Sequence, residues 1–231
     1  MYHSPNISII IPAINEEESI GLVLNDIPKD IAREIIVVDN GSHDNTANVA
    51  KDLGAKVMLE PLRGYGSACL RGISVLKKDT DIVVFLDGDY SDHPQDIHTI
   101  LKPILTGKAE MVIGSRMLGV REKGALLPQA LFGNKLAAFL IRLFWRFRYT
   151  DLGPFRAIRY KALLALNMVD KNFGWTVEMQ IKALKKGLQI VEVPVRYRKR
   201  VGVSKITGTF SGTVRAGTKI IYTIFKYGFS R

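Results

Sequence analysis

Apolar positions along this chain fall into two rhythms. Residues 7–11, 34–38, 56–59, 82–86 and 111–114 are short, nearly continuous apolar runs rich in Ile and Val. Such runs predict strands buried on both faces of a parallel sheet. Residues 16–26, 45–53, 65–77 and 94–105 lie between them and read as helices. Ser42 or Asp44 can cap the second helix, and Pro94 suits a first helical turn. Strands alternating with helices in this way predict an α/β fold, doubly wound and Rossmann-like, with a largely parallel sheet.

The rhythm changes after Arg116. A Gly-containing loop, 118–124, leads into a long helical run at 129–147, followed by a strand at 155–159 and a helix at 176–186. A strand at 189–193, a basic loop at 196–205 and a final helix at 209–226 complete the pattern. No linker or repeat interrupts it. The expectation is one domain over 1–231 in two halves, 1–116 and 117–231.

Both long helices are amphipathic. In the first, Phe132, Leu136, Phe139, Leu140, Leu143 and Phe147 share a face, with Lys135, Arg142 and Arg146 at its margin and Ile141 and Trp145 opposite. In the last, Val214, Gly217, Ile221, Ile224 and Phe225 oppose Arg215, Lys219, Tyr222 and Lys226. A lipid surface or a dimer interface would cover such faces equally well.

Charge narrows the partners. With 33 basic and 22 acidic residues the net charge is +11, which calls for an anionic partner. Nucleic acid fits poorly: no recognition motif is present, and Asp39, Asp87 and Asp89 would repel a polyanion from the sheet edge. No secretory pattern opens the chain and no apolar run reaches about 18 residues. The expected location is the cytoplasm, peripheral on the inner face of the membrane. The lone Cys69, among small and apolar neighbours, reads as a buried structural thiol.

Three predicted strands end in polar residues, where open α/β sheets gather their ligands. The ends are Pro12-Ala13-Ile14-Asn15-Glu16, Asp39-Asn40-Gly41-Ser42 and Asp87-Gly88-Asp89. Two carboxylates one residue apart suit a Mg²⁺ or Mn²⁺ ion shared with phosphate oxygens. Arg63-Gly64-Tyr65-Gly66 opens a helix whose free amides can receive phosphate, and Arg71 within that helix faces either phosphate or solvent.

The segments IIIPAINEEESI, IIVVDNGSHDNT, RGYGSACLRGI, VVFLDGDYSDHPQDI, VIGSR, TDLGPFRAI and VPVRYRKRVGVSKI span nearly the whole chain. In that order they resemble family 2 glycosyltransferases of the GT-A fold, particularly the polyprenyl-phosphate hexosyltransferase branch that includes dolichyl-phosphate mannose synthases. The resemblance implies metal-dependent, inverting transfer of a hexose from a nucleotide-diphosphate sugar. It assigns Pro12, Asn15, Glu16 and Asp39, with Ala13, Gly64, Arg71 and Gly88 beside them, to the donor pocket, and Asp87 and Asp89 to the metal. Asp151 matches a proposed catalytic carboxylate, with Glu178 as the second choice of base. Arg116, Arg200 and Lys205 match basic positions that serve phosphates.

A hydroxyl acceptor needs such a base, whereas a polyprenyl phosphate is already anionic. Departures from the branch are Asn40 in place of an acid, Ser91 with an added Asp92 after the metal pair, and TDLGPFR for the usual Asp-x-x-Ser-Gly-Phe. Gln129 and Asn134 stand where a Ser and an Arg serve the lipid phosphate. These leave the donor open among UDP, GDP and dTDP sugars, and the acceptor open as well. A nucleotidyltransferase would need a Gly-rich loop after the first strand, where this chain has PAINEEES.

Overall fold

The structure is a computed structural model that describes residues 4–202 and 210–230. Its chain order is β1 (Ile7–Ala13), α1 (Ile20–Asp26), β2 (Glu34–Asp39), α2 (Thr46–Asp52), β3 (Lys56–Leu59), α3 (Tyr65–Ser74) and β4 (Ile82–Phe85). A 3₁₀ turn (Pro94–Asp96) precedes α4 (Ile97–Leu105), then come β5 (Met111–Ser115), α5 (Pro128–Trp145), β6 (Arg156–Arg159) and α6 (Tyr160–Ala165). The chain finishes with α7 (Trp175–Lys185), β7 (Ile190–Pro194) and α8 (Phe210–Phe229).

The strands form one seven-stranded sheet in the order β3-β2-β1-β4-β6-β5-β7. All neighbours pair in parallel except β6, which runs antiparallel to both β4 and β5. Successive strand residues face opposite sides, so each strand feeds two cores. Ile9, Ile11, Val37, Val84 and Val112 pack with Ile20, Val23, Ile97 and Ile104 on one side. Ile10, Ile36, Val38, Phe85 and Ile113 pack with Cys69, Trp175, Ile181 and Ile224 on the other.

Cys69 is fully buried, and burial pushes its thiol well above the ordinary range, as a structural cysteine requires. The edge strand β3 departs from the double-sided burial expected of it: Leu59 is 60% exposed. Helix α1 starts four residues later than expected because the Glu16 carbonyl accepts both the Ser19 and Ile20 amides, making 16–19 a turn. Helix α6 directly follows β6 and has no counterpart in the sequence reading.

The two amphipathic helices lie together, with Phe144 edge-on to Phe225 and Phe229. On α5 the inward residues are Ala137 and Ile141, whereas Phe132, Phe139 and Leu143 face outward. On α8, Thr223 and Ile224 are buried while Val214, Tyr222, Phe225 and Phe229 are exposed. Each helix therefore packs part of its apolar surface on the protein and leaves part of it exposed. Among the described residues no helix is long and apolar enough to cross a membrane.

Candidate active site

The chain winds from β1 to β2 and β3 on one side, then crosses to β4 on the other. The β1/β4 boundary is thus a switch point, where strand-end loops part and leave a crevice. Register brings the ends level: Ala13 pairs with Asp39, and Ile10 with Phe85. Gly88 backs directly onto β1, since a Cβ there would lie 3.4 Å from that of Ala13.

A cavity of ≈ 340 Å³ opens at this point, lined by Pro12, Ala13, Ile14, Glu16, Asn40, Arg63, Gly64, Tyr65, Ala68, Asp87, Gly88, Asp89, Asn172, Phe173 and Arg200. Of the residues expected at the donor and metal sites, the structure gathers Pro12, Ala13, Glu16, Gly64, Asp87, Gly88, Asp89 and Arg200 here. Asn15, Asp39, Arg71 and Arg116 are not on the lining. Lys205 lies outside the described residues.

The absent residues have other work. Asn15 adopts a left-handed backbone, φ 50°, and ties two strand-end loops together: its Oδ1 accepts the His43 amide and its own amide donates to Ser42 Oγ. Asp39 Oδ1 accepts the Ser42 amide 2.9 Å away, closing a turn. Arg71 sits in the last turn of α3, at the end opposite the amides that border the cavity.

Asn40 explains its own departure from an acidic residue. Its Oδ1 accepts the Gly64 amide, and its Nδ2 donates to the carbonyls of Glu60 and Leu62. A carboxylate would lose both donations and repel those carbonyls. Gly64 has φ 147°, and a Cβ there would fall 2.1 Å from the Lys171 carbonyl oxygen; at Gly66 one would fall 2.0 Å from that of Asp170. This contact brings Asn172 and Phe173 onto the cavity wall. Nothing in their local sequence marks them, because the contact depends on two glycines a hundred residues away.

Asp87 is half-buried and accepts the Tyr65 hydroxyl at 3.0 Å. Burial, and then the charge of Asp89, raise its pKa to about 7. Asp89 Oδ1 accepts the amide and hydroxyl of Ser91, while its Oδ2 lies 3.2 Å from Arg200 Nη1. Arg200 Nη2 reaches Glu16 Oε1 at 2.9 Å. Among the described residues no group of three or more His, Cys, Asp or Glu side chains forms a metal cage. Two carboxylates on an open cavity, one with its pKa raised by desolvation and by the other's charge, fit a Mg²⁺ or Mn²⁺ ion completed by phosphate and water.

Asp92, the added acid after this pair, lies within reach of both charges. It is 2% exposed, and among the described residues neither carboxyl oxygen has a hydrogen-bond partner. Burial and the charges of Asp87 and Asp89 push it well above the carboxylate range.

Neither expected base faces the cavity. Asp151 is fully buried and accepts from Arg116 Nε, Nη2 and backbone N, at 2.7 to 2.8 Å. Burial alone would raise its pKa; the guanidinium instead holds it below the ordinary range. Arg116 is likewise spent on this pair and lies over the Tyr197 ring. Around them, Asn134 braces the loop by donating to the Thr150 carbonyl and accepting the Leu152 amide. The buried Arg156 donates to the carbonyls of Gly153, Pro154 and Thr176. Glu178 is also fully buried, bound by the amides of Val169 and Asp170, by Lys182 and by the Tyr227 hydroxyl. Its geometry fixes the 169–173 loop against α8 and is not that of a base.

A parallel-stranded crevice with paired carboxylates and a facing arginine has the chemistry to meet an anionic ligand. Comparison with known proteins agrees. Residues 8–165 match glycosyl transferase family 2. An uncharacterised glycosyltransferase of Mycobacterium bovis is 36% identical over 212 residues, covering 91% of this chain and 94% of that protein. A dolichyl-phosphate hexose transferase of Haloferax volcanii is 30% identical over 226 residues, covering 95% and 94%. A glucosyl-3-phosphoglycerate synthase of Mycobacterium tuberculosis, crystallised with Mn²⁺, UDP and phosphoglyceric acid, superposes with a TM-score of 0.78 at 22% identity, over 99% of this chain and 80% of that one. The chain belongs to glycosyl transferase family 2. It is a glycosyltransferase, and its fold is GT-A.

Proposed function

We propose that the protein transfers a hexose, with inversion, from a nucleotide-diphosphate sugar to a polyprenyl phosphate at a membrane surface. The observation that carries this is Asp87-Gly88-Asp89 on the wall of a cavity that also holds the β1 end, the α3 N-terminus and Arg200. Pro12, Ala13 and Ile14 offer an apolar wall to a nucleoside. The Gly64–Tyr65 amides, Arg63 and Arg200 suit a diphosphate. Asp87 and Asp89 would hold the cation, which when bound supplies Lewis-acid stabilisation of the departing diphosphate. UDP is the first donor to try, since the Mycobacterium tuberculosis neighbour holds it with Mn²⁺.

A phosphate acceptor is favoured over a hydroxyl because both candidate bases are sealed in the protein. Asp151 and Glu178 are each 0% exposed and fully bonded. A phosphate nucleophile needs no proton removed. The Haloferax volcanii relative, named for dolichyl phosphate, supports the same reading. A panel of UDP-glucose, UDP-GlcNAc, GDP-mannose and dTDP sugars with Mn²⁺, scored by nucleotide release, tests it. Release is expected to rise at least about tenfold when polyprenyl phosphate is added and to stop with EDTA. Release from no donor under any of these conditions would overturn the reading.

The acceptor's lipid calls for a docking face, and α5 with α8 supplies one. Neither helix contains an acidic residue. Lys135, Arg142, Arg215 and Lys226 are exposed around Phe132, Phe139, Leu143, Phe225 and Phe229. Basic residues near an anionic bilayer contribute about 1 kcal/mol each. The full chain is expected to co-sediment with vesicles containing anionic lipid, and to be released by salt. Phe139→Glu combined with Phe229→Glu should weaken that binding at least about tenfold. Concentration-dependent dimerisation that the same pair abolishes, without vesicle binding, would assign the face to a second copy instead.

A further inference from the structure

Arg200 occupies an uncommon position for a phosphate-binding arginine. Its guanidinium spans two carboxylates from different strand ends: Nη2 to Glu16 at 2.9 Å and Nη1 to Asp89 at 3.2 Å. Its Nε is buried and has no hydrogen-bond partner among the described residues. The side chain is only 25% exposed, and it lines the cavity. Its backbone is fixed, since the Val201 amide donates to the Asp89 carbonyl and the Arg198 amide to that of Ser91. Arg198 anchors the same segment, lying over the Tyr90 ring at 3.4 Å and donating to the carbonyls of Tyr90 and Asp92. The segment is clamped beside the metal pair, so the guanidinium can move only by its own rotamers.

Such a guanidinium competes with a divalent ion for Asp89. The carboxylate has one oxygen turned to Ser91 and the other to Arg200. A cation entering against that pair meets a positive charge at the oxygen it needs. A diphosphate changes the balance. It offers Arg200 acceptors stronger than a shared carboxylate, including one for the unsatisfied Nε. Glu16, also held by Ser19 Oγ, stays behind as the second hold on the guanidinium.

We propose that Arg200 is a built-in counterion to Asp89 that the diphosphate draws away, so that the cation binds well only together with the sugar nucleotide. Glu16 is the positioning residue that keeps Arg200 at the cavity wall through the exchange. This rests on the sugar-nucleotide reading above and adds to it an order of assembly. Nucleotide and cation are coupled, each tightening the other by the same factor. The device keeps the carboxylate pair from filling with metal when no donor is present.

The test is Mn²⁺ binding to the full, chelator-stripped chain, followed by the electron paramagnetic resonance of free Mn²⁺, with and without UDP. Removing the competing charge in Arg200→Gln should tighten Mn²⁺ binding without UDP about tenfold and shrink the gain conferred by UDP about tenfold. Arg200→Met, which keeps the apolar stem, should behave alike and covers the case in which Gln disturbs the loop. Arg200→Lys keeps the charge and should stay within about threefold of the unaltered chain without UDP. If UDP promotes Mn²⁺ binding but Arg200→Gln and Arg200→Met bind Mn²⁺ alone no more tightly, the counterion role is wrong and the donor site stands. If the unaltered chain binds no Mn²⁺ even with UDP, the donor site itself is wrong and the proposal falls with it.

Discussion

Asp87→Asn is expected to lower donor turnover by at least about a thousandfold while making the folded protein harder to melt at pH 8. The two effects have one origin. Asp87 is half-buried beside Asp89, and desolvation with that neighbouring charge raises its pKa from 3.8 to about 7. The folded state therefore holds a proton that the unfolded chain has released over this interval. Stability associated with that proton is fully present below pH 4, fades as pH rises, and is gone above about 7.

Asparagine never ionises and can still accept the Tyr65 hydroxyl, so the variant escapes the loss. The gain should be about 1–3 kcal/mol at pH 8 and near zero at pH 4, read from melts in chelator. For the same reason, Mn²⁺-supported turnover of the unaltered chain should rise as pH climbs through about 7, because proton and cation compete for one carboxyl. Asp89→Ala should also abolish turnover, but without the stability gain, since Asp89 Oδ1 secures the Ser91 turn. Equal melting of Asp87→Asn and the unaltered chain at pH 8 would show that the repulsion is relieved by other means.

The sheet was legible because buried strands advertise themselves. The runs at 7–11, 34–38 and 82–86 became β1, β2 and β4 within a residue or two. Antiparallel insertion of β6 between β4 and β5 was not legible, since Arg-Ala-Ile-Arg reads alike in either direction. The cavity was legible where strand ends supply it directly, as at Pro12 and at Asp87 to Asp89. It was not where a remote loop supplies it, as at Asn172 and Phe173. The harder failure concerns charge. Asp151 and Arg116 each suggest chemistry when taken alone, yet burial and mutual bonding commit both, and only coordinates reveal that they are partners. Arg200 keeps its place at the cavity because its partners, Glu16 and Asp89, are themselves on the lining.

Asp151→Asn and Asp151→Ala are expected to cost about 3–5 kcal/mol each, the largest stability effects at this site. Either change leaves the Arg116 guanidinium, only 13% exposed, without its carboxylate. Alanine also removes the acceptor of the Arg116 amide. The loss belongs to breaking the pair and not to the pair's net worth, because both ions lost their hydration on folding. Replacing both partners, as Arg116→Met with Asp151→Leu, should therefore recover most of it. Urea melts of the two singles and the double close that cycle.

The kinetics separate the same question from catalysis. A base at Asp151 would set a limb of the pH–rate profile, and Asp151→Asn would erase that limb. A residue that only holds Arg116 contributes no limb, since the guanidinium keeps its carboxyl ionised through the whole working range. The expected profile for Asp151→Asn, measured below its melting temperature, is lowered in height with its acid limb still near 7, where Asp87 puts it. Disappearance of that limb would restore Asp151 as the base and require the buried loop from Thr150 to Pro154 to open during turnover.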